Sequence, residues 1–396
     1  MKRLLVGAIA LALGAIPATA QSLEDLNIQI HGYATQGFLY TTNNNILTTN
    51  SSTGSPDWTD AVVNLTAQPL PKLRVGVQAR YFLLGSYSNQ FLIDWAAADY
   101  KVNEKFGVRF GKVKTPASLF NEILDIDPGY IWSIMPQGVY TLSSRESFLA
   151  HYGGVTYGKV NLSKSAGKLN CWTWIGERVI ASNDGFLLPS AEKGIVVPNG
   201  VNGWMGGAHL AWQLPIPGAK VGATYAYQAP RTGTFNYTTK GLTYTGNMVR
   251  SEIKNPDYYG QYESGKFMAA AEWERKATYY EIDTITAGAT PFPTLAKIPT
   301  DPHMWYAMAT YKVTGKLTAG VYDSQWVNRS AALSTSGARF SKDWDISARY
   351  DINEFLYVKA EEHFIDGTGL VYDTNMNLGG LKPTTTLTIF KAGVSF

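Results

Sequence analysis

The chain has 396 residues, of which 34 are Lys or Arg and 31 are Asp or Glu, for a net charge of +3. Only 16% of residues are charged, whereas 13% are aromatic and 38 are glycine. That balance leaves no basic field for nucleic acid, and the lone Cys171 excludes an internal disulfide.

Met1-Lys2-Arg3 is a short basic region, Leu4 to Ile16 an apolar core, and Ala18-Thr19-Ala20 a small-x-small cleavage site. Residues 1–20 therefore read as a secretory signal peptide, with the mature chain starting at Gln21. The apolar run is too short for a membrane anchor. Its removal leaves 32 basic against 31 acidic residues. No later apolar run reaches about 18 residues, so no transmembrane helix is expected. A secreted chain with few charges, 24 tyrosines and 11 tryptophans fits an outer-membrane β-barrel. In such a barrel, lipid-facing and lumen-facing residues alternate and aromatic girdles mark both interfaces.

Period-two alternation predicts strands over 27–39, 58–67, 73–83, 91–101 and 106–114. In the third, Leu73, Val75, Val77, Ala79 and Tyr81 point outward while Arg74, Gly76, Gln78 and Arg80 point inward. After a long break, further strands are predicted over 148–157, 169–178, 203–213, 219–228, 257–263, 267–281, 303–313, 317–326, 340–352, 356–364 and 384–396. Connections alternate short and long, as with periplasmic turns and extracellular loops. The expected fold is all-β: one transmembrane antiparallel barrel of about sixteen strands over 21–396. A soluble β-sandwich would not explain that alternation. The last strand puts Phe390, Ala392, Val394 and Phe396 on one face, and a terminal Phe396 resembles the assembly signal read by barrel-assembly machinery.

The break between 115 and 147 is too long for an ordinary loop and too apolar for disorder. It carries Ile123, Leu124, Ile126, Tyr130, Ile131, Trp132, Ile134 and Met135, and Pro116, Pro128 and Pro136 interrupt any helix. It is expected to fold into the lumen and constrict it.

Val108-Arg109-Phe110-Gly111-Lys112-Val113-Lys114-Thr115-Pro116 resembles the G-x-x-K-T/x-P segment of phosphate-selective porins and their porin-like relatives (the porin O/P-like superfamily). Asp94-Trp95-Ala96-Ala97-Ala98-Asp99-Tyr100, Asn121-Glu122-x-x-Asp125-Ile126-Asp127 and Met135-Pro136-Gln137-Gly138-Val139-Tyr140 extend the likeness over about 91–157. The resemblance implies a trimeric, water-filled, often anion-passing pore in a Gram-negative-type outer membrane, in contact with its lipid and passing small hydrophilic solutes or ions. One departure argues against phosphate itself: between Thr115 and Ser147 there is no lysine, and the charges are Glu122, Asp125, Asp127, Arg145 and Glu146.

Arg74, Arg80, Arg109 and Arg349 fall on lumen parities, because an arginine facing lipid costs about 2–4 kcal/mol near the midplane. With Glu122, Asp125, Asp127 and Arg145 they form the candidate constriction, bases on the wall facing acids across water. Lys112 and Lys114 share the parity of Phe106 and Phe110, which places them beyond the membrane edge or displaces them by a bulge at Gly111. Lys359 shares a face with Tyr357, Glu361 and His363. The alternatives are a barrel enzyme of lipase or protease type, or a carrier of a specific small ligand. Only His151 has serines nearby (Ser143, Ser144, Ser147), and neither G-x-S-x-G nor H-E-x-x-H occurs. No enzymatic activity, cofactor or metal is expected.

Overall fold

The computed structural model describes residues 26–396, apart from 86–87, 143–144, 185–186, 188–193, 240, 288–289, 293–294, 331–335 and 371–375. The signal-peptide reading of 1–20 lies outside the described residues, as do Ser143 and Ser144.

The strands are β1 (Gln29–Thr41), β2 (Ser55–Leu70), β3 (Leu73–Leu84), β4 (Ser88–Asn103), β5 (Phe106–Lys114), β6 (Ala150–Ser163), β7 (Gly167–Ile180), β8 (Ile195–Val196), β9 (Val201–Gln213), β10 (Ala219–Gln228) and β11 (Arg231–Thr239). There follow β12 (Leu242–Arg250), β13 (Ile253–Ser264), β14 (Phe267–Arg275), β15 (Thr278–Ala287), β16 (Thr290–Phe292), β17 (Leu295–Thr300), β18 (Pro302–Lys312), β19 (Leu317–Asn328), β20 (Phe340–Asp351), β21 (Leu356–Asp366) and β22 (Thr384–Ser395).

Sixteen of them close a ring. Strands β1 to β7 pair in sequence, then β9, β10, β13, β14, β18, β19, β20, β21 and β22, and β22 returns to β1. Every pairing in the ring is antiparallel. The remaining strands extend the wall at the loop end. β11 pairs with β12 and with β8, and β12 pairs with β15, which also takes β16 and β17. These hairpins occupy 229–252 and 276–301, which the sequence reads as loop except for 276–281, expected as the end of a strand over 267–281 that in fact stops at Arg275.

The faces follow the pleat. Ile30, Phe110, Ile175, Trp344 and Phe390 are exposed on the outside, where lipid would lie, whereas Tyr33, Phe82, Trp174, Tyr322 and Tyr357 are buried inside. No helix among the described residues is long and apolar enough to cross a membrane.

The interior is filled by residues 115–149. Phe120, Leu124, Ile131, Trp132, Met135, Val139, Tyr140 and Leu149 pack against Ala270, Met304, Tyr306, Met308 and Tyr322 of β14, β18 and β19. Ile134 joins a second cluster with Leu39, Trp58, Phe82, Leu84, Leu387 and Ile389. Wall and insert approach closely at Gly320, where a side chain would collide with Ile131.

Barrel closure ends on Phe396. Its N–H and C=O exchange 3.0 Å hydrogen bonds with Gly32, and a Cβ on Gly32 would lie 2.7 Å from the Phe396 ring. Deleting Phe396, or making Gly32→Val, should lower the membrane-inserted, heat-modifiable fraction several-fold on a gel-shift assay. A normal folded yield from both variants would show this seam to be dispensable.

Candidate functional site in the barrel lumen

The chain leaves the wall at Lys114 and returns at Ala150. Between them the described residues include a 3-10 turn, Asp127–Gly129, and a short helix, Glu146–Leu149, but no strand. Turns inside the insert pair some of its backbone, as where Ile123 N–H donates to Phe120 O and Tyr140 N–H to Pro136 O, and the lumen face of the wall supplies partners for other groups.

Going round the barrel, Pro116 O faces His209 Nδ1 at 2.9 Å, and Ser118 N–H donates to Thr224. Leu119 N–H and the Tyr140 hydroxyl donate to Glu272, which also accepts from Tyr306. Gly138 N–H donates to Ser324 Oγ at 3.2 Å. Ser133 and Ile134 N–H groups both donate to the Glu361 carboxylate. Arg349 donates to the Pro128 and Tyr130 carbonyls, and Lys359 to those of Asp127 and Trp132.

The charged residues of the insert are ion-paired. Asp127 contacts both Lys359, at 3.0 Å, and Lys391. Asp125 pairs with Lys114 at 2.7 Å and accepts from Gln78 at 2.8 Å. Glu122 pairs with Arg109 at 2.7 Å, and Arg109 also holds Asp99 at 3.0 Å. Arg145 makes a fork to Asp94 at 3.0 and 3.1 Å. Arg80 forks onto Asp60 at 2.7 and 2.9 Å and reaches Glu146 at 3.2 Å. Burial raises the Asp127 carboxyl, but Lys359 and Lys391 outweigh it and hold the group below the usual carboxylate range.

The structure thus brings together Arg80, Arg109, Lys114, Glu122, Asp125, Asp127, Arg145 and Arg349 where the insert meets the wall. It differs from the expectation in two respects. The bases and acids touch directly instead of facing each other across water, since the apolar insert draws them out of solvent together. Lys112 is on the outer face, its ammonium donating to Ile93 O and lying 5.8 Å from the exposed Tyr152 ring. Alternation persists through Gly111, whose φ is +125° but which causes no register shift in its pairing with Ala97. Lys114 turns inward because the strand ends there.

Arg74 lies below this layer, bonded to Thr66 at 3.1 Å. It borders a cavity of about 630 Å³ also lined by His31, Trp95, Asp99, Arg109 and Glu122. A bulge opposite Gln78 and Ala79 turns both Asp94 and Trp95 inward. Further round the wall Arg178 pairs in register with Gly203, a Cβ on Gly203 would meet Arg231, and Arg231 pairs with Arg250. Three arginines thus occupy neighbouring ladder positions.

Sequence reading overlooked Lys391, Asp60, Glu272 and this arginine row as contributors. The parity of Phe390 and Ala392 implies an inward Lys391, and Asp60 is inward by the same rule. Arg231 and Arg250 fell in apparent loop.

No family model matches the chain, and no curated protein matches it in sequence. Solved structures match its fold. OmpF of Salmonella typhi, in complex with daunomycin, is 13% identical with a TM-score of 0.57, covering 95% of this chain and 99% of that one. An anion-selective porin from Comamonas acidovorans is 10% identical with a TM-score of 0.55, covering 93% and 99%. OmpT, an outer membrane protein of Vibrio cholerae, in its trimer form is 13% identical with a TM-score of 0.55, covering 93% and 99%. At these identities the likeness establishes architecture: the chain has the sixteen-stranded barrel fold of outer-membrane porins.

Removing one partner from a buried ion pair costs about 3–5 kcal/mol, against roughly 0–1 kcal/mol for an exposed pair. Asp127→Asn should therefore lower the heat-modification midpoint markedly. Glu122→Gln, whose side chain is 39% exposed, should barely move it. Equal midpoints would place Asp127 in a solvated position.

Proposed function

We propose that this chain is a passive diffusion channel of a Gram-negative-type outer membrane for small hydrophilic solutes, with a preference for anions. The observation that carries the reading is the insert. Sixteen strands leave a lumen wide enough for water, and residues 115–149 narrow it while bound to the wall on several sides.

Anion preference is supported by a charge outside the insert's ion pairs. Arg74 faces the lower cavity, beside the half-exposed Arg109. Low-dielectric walls focus such fields on the aqueous path. The motif likeness over 91–157 supports a relationship to the phosphate-selective porin superfamily. Lys114, Lys359 and Lys391 are committed to Asp125 and Asp127, which argues against phosphate as the specific solute. A homotrimer is supported by the trimer form of the OmpT barrel. An enzyme is disfavoured because His151 is 1% exposed, with Nδ1 2.9 Å from Thr115 Oγ1, out of reach of a solute.

In planar bilayers the purified protein should give discrete, long-lived conductance steps. Excising Asn121–Tyr140 should raise the step several-fold. A barrel without steps, or with a step indifferent to the excision, would overturn the reading.

Across a salt gradient the reversal potential should indicate anion preference, and Arg74→Gln should move it towards cations. Phosphate should compete no better than sulfate or dicarboxylates. A reversal potential unchanged by Arg74→Gln would remove that residue from the conduction path.

A further inference from the structure

A cluster on the lumen face of β19, β20 and β21 is not explained by ion pairing. Asp345 and His363 are direct cross-strand partners, and Glu361 lies two residues before His363 on the same face. Asp343 stands two residues before Asp345, and Tyr322 is the β19 partner of Asp345. All are buried; Asp345 is 0% and His363 1% exposed.

The ring of His363 is held from one side. Its Nδ1 lies 3.2 Å from Asp343 Oδ2 and 3.3 Å from the Tyr322 hydroxyl. With the Nδ1 proton given to Asp343, the Nε2 lone pair points at two more acceptors. Glu361 Oε2 is 3.2 Å away and Asp345 Oδ1 3.7 Å. Three acceptor atoms converging in a buried site repel one another unless a cation lies between them.

A proton is a poor solution. An imidazolium would satisfy Glu361, but Asp345 Oδ1 has no hydrogen-bond partner. Three carboxylates would still face one positive charge. The nearby ammonium, Lys359, is committed to Asp127 and two insert carbonyls.

A metal ion meets these constraints. One atom each from Asp345, Glu361 and His363 lies within 4.8 Å of the others. Bonds of about 2.0–2.2 Å in tetrahedral geometry set donors roughly 3.3–3.6 Å apart, and the two separations from Nε2 bracket that value. A carboxylate on the other ring nitrogen is the usual support for a metal-bound histidine. A cavity of about 40 Å³ bordered by Ser324, Ser341, Asp343 and His363 has room for a water as further ligand. The imidazole disfavours Mg²⁺ and Ca²⁺, and the carboxylates disfavour Cu⁺.

We propose that Asp345, Glu361 and His363 bind one divalent transition-metal cation of the zinc class. Because Glu361 also accepts the Ser133 and Ile134 amides, the cation fastens the insert to β20 and β21. This is a structural metal site in the wall of the lumen, and it stands whether or not the barrel conducts.

The test uses the folded full-length barrel, stripped with a chelator, dialysed, and loaded with Zn²⁺ or Co²⁺. Elemental analysis should find about one Zn²⁺ per chain, and Co²⁺ should give visible d–d absorption. His363→Gln and Asp345→Asn, each confirmed as folded by heat-modifiability, should lose at least nine-tenths of the metal, while Glu104→Gln on the exterior keeps it. Hydrogen exchange at Ser133 and Ile134 should quicken about tenfold when wild type is stripped. Uptake below a tenth of an equivalent by wild type, or full retention by either folded site variant, overturns the proposal. The wild-type stoichiometry decides the matter even if both variants fail to fold.

Discussion

The interior depends on one constraint: an irregular segment buried in a barrel must find partners for its backbone amides and carbonyls. Neither water nor a sheet ladder is freely available to them, and an unpaired buried group costs as much as a lost hydrogen bond. The insert meets this partly through its own turns and partly by borrowing from the wall. Glu361 takes two amides, Glu272 one, Arg349 two carbonyls and Lys359 two. Charged lumen residues that resemble a selectivity filter thus act first as partners for the insert's backbone. Apolar contacts with β14, β18 and β19 add adhesion but cannot fix direction; the hydrogen bonds do.

This division of labour limits the electrostatics available for permeation. Asp127, with two ammonium groups against it, projects little field into water. Arg145 and Asp94 are likewise enclosed, at 2% and 3% side-chain exposure. The Arg109–Glu122 pair is different, being 29% and 39% exposed beside the lower cavity. It lies where mobile ions screen over about 8 Å at physiological salt, so its influence falls as ionic strength rises. In the proposed channel such half-exposed groups would set selectivity, and the enclosed pairs set shape.

The wall was legible in the sequence because lipid on one face and polar lumen on the other impose strict alternation. All sixteen ring strands were anticipated, most within two or three residues of their bounds. The β11–β12 hairpin was not, since its many Thr, Asn and Gly residues mask the alternation and its buried face rests on a small local cluster of Phe235 with Ile180, Val197 and Val201. The insert's inward path followed from its apolar content, yet its partners did not. Which wall lysine meets Asp127 depends on the ring bringing β21 and β22 beside β1, a relation more than 200 residues apart in sequence. The bulge at Asp94 was equally hidden, because an extra residue in a strand leaves no local mark when both neighbours tolerate either face.

The anchoring network also distinguishes two kinds of buried carboxylate. Glu272 is surrounded by donors, with the Tyr140 and Tyr306 hydroxyls each at 2.6 Å and the Leu119 amide at 3.1 Å. Asp127 is neutralised by two bases. Asp345 has neither solution: one oxygen accepts from Ser347, and the other faces only His363 Nε2 beyond hydrogen-bond reach. Asp257 also carries oxygens without a hydrogen-bond partner, but Asp345 differs in converging with Glu361 and an imidazole nitrogen, the donor set and spacing of the proposed metal site. It lies across the lumen from β5 and β6, where the insert begins and ends. Covalent attachment restrains the insert on that side already, so the opposite wall is where a further cross-link restricts its motion most.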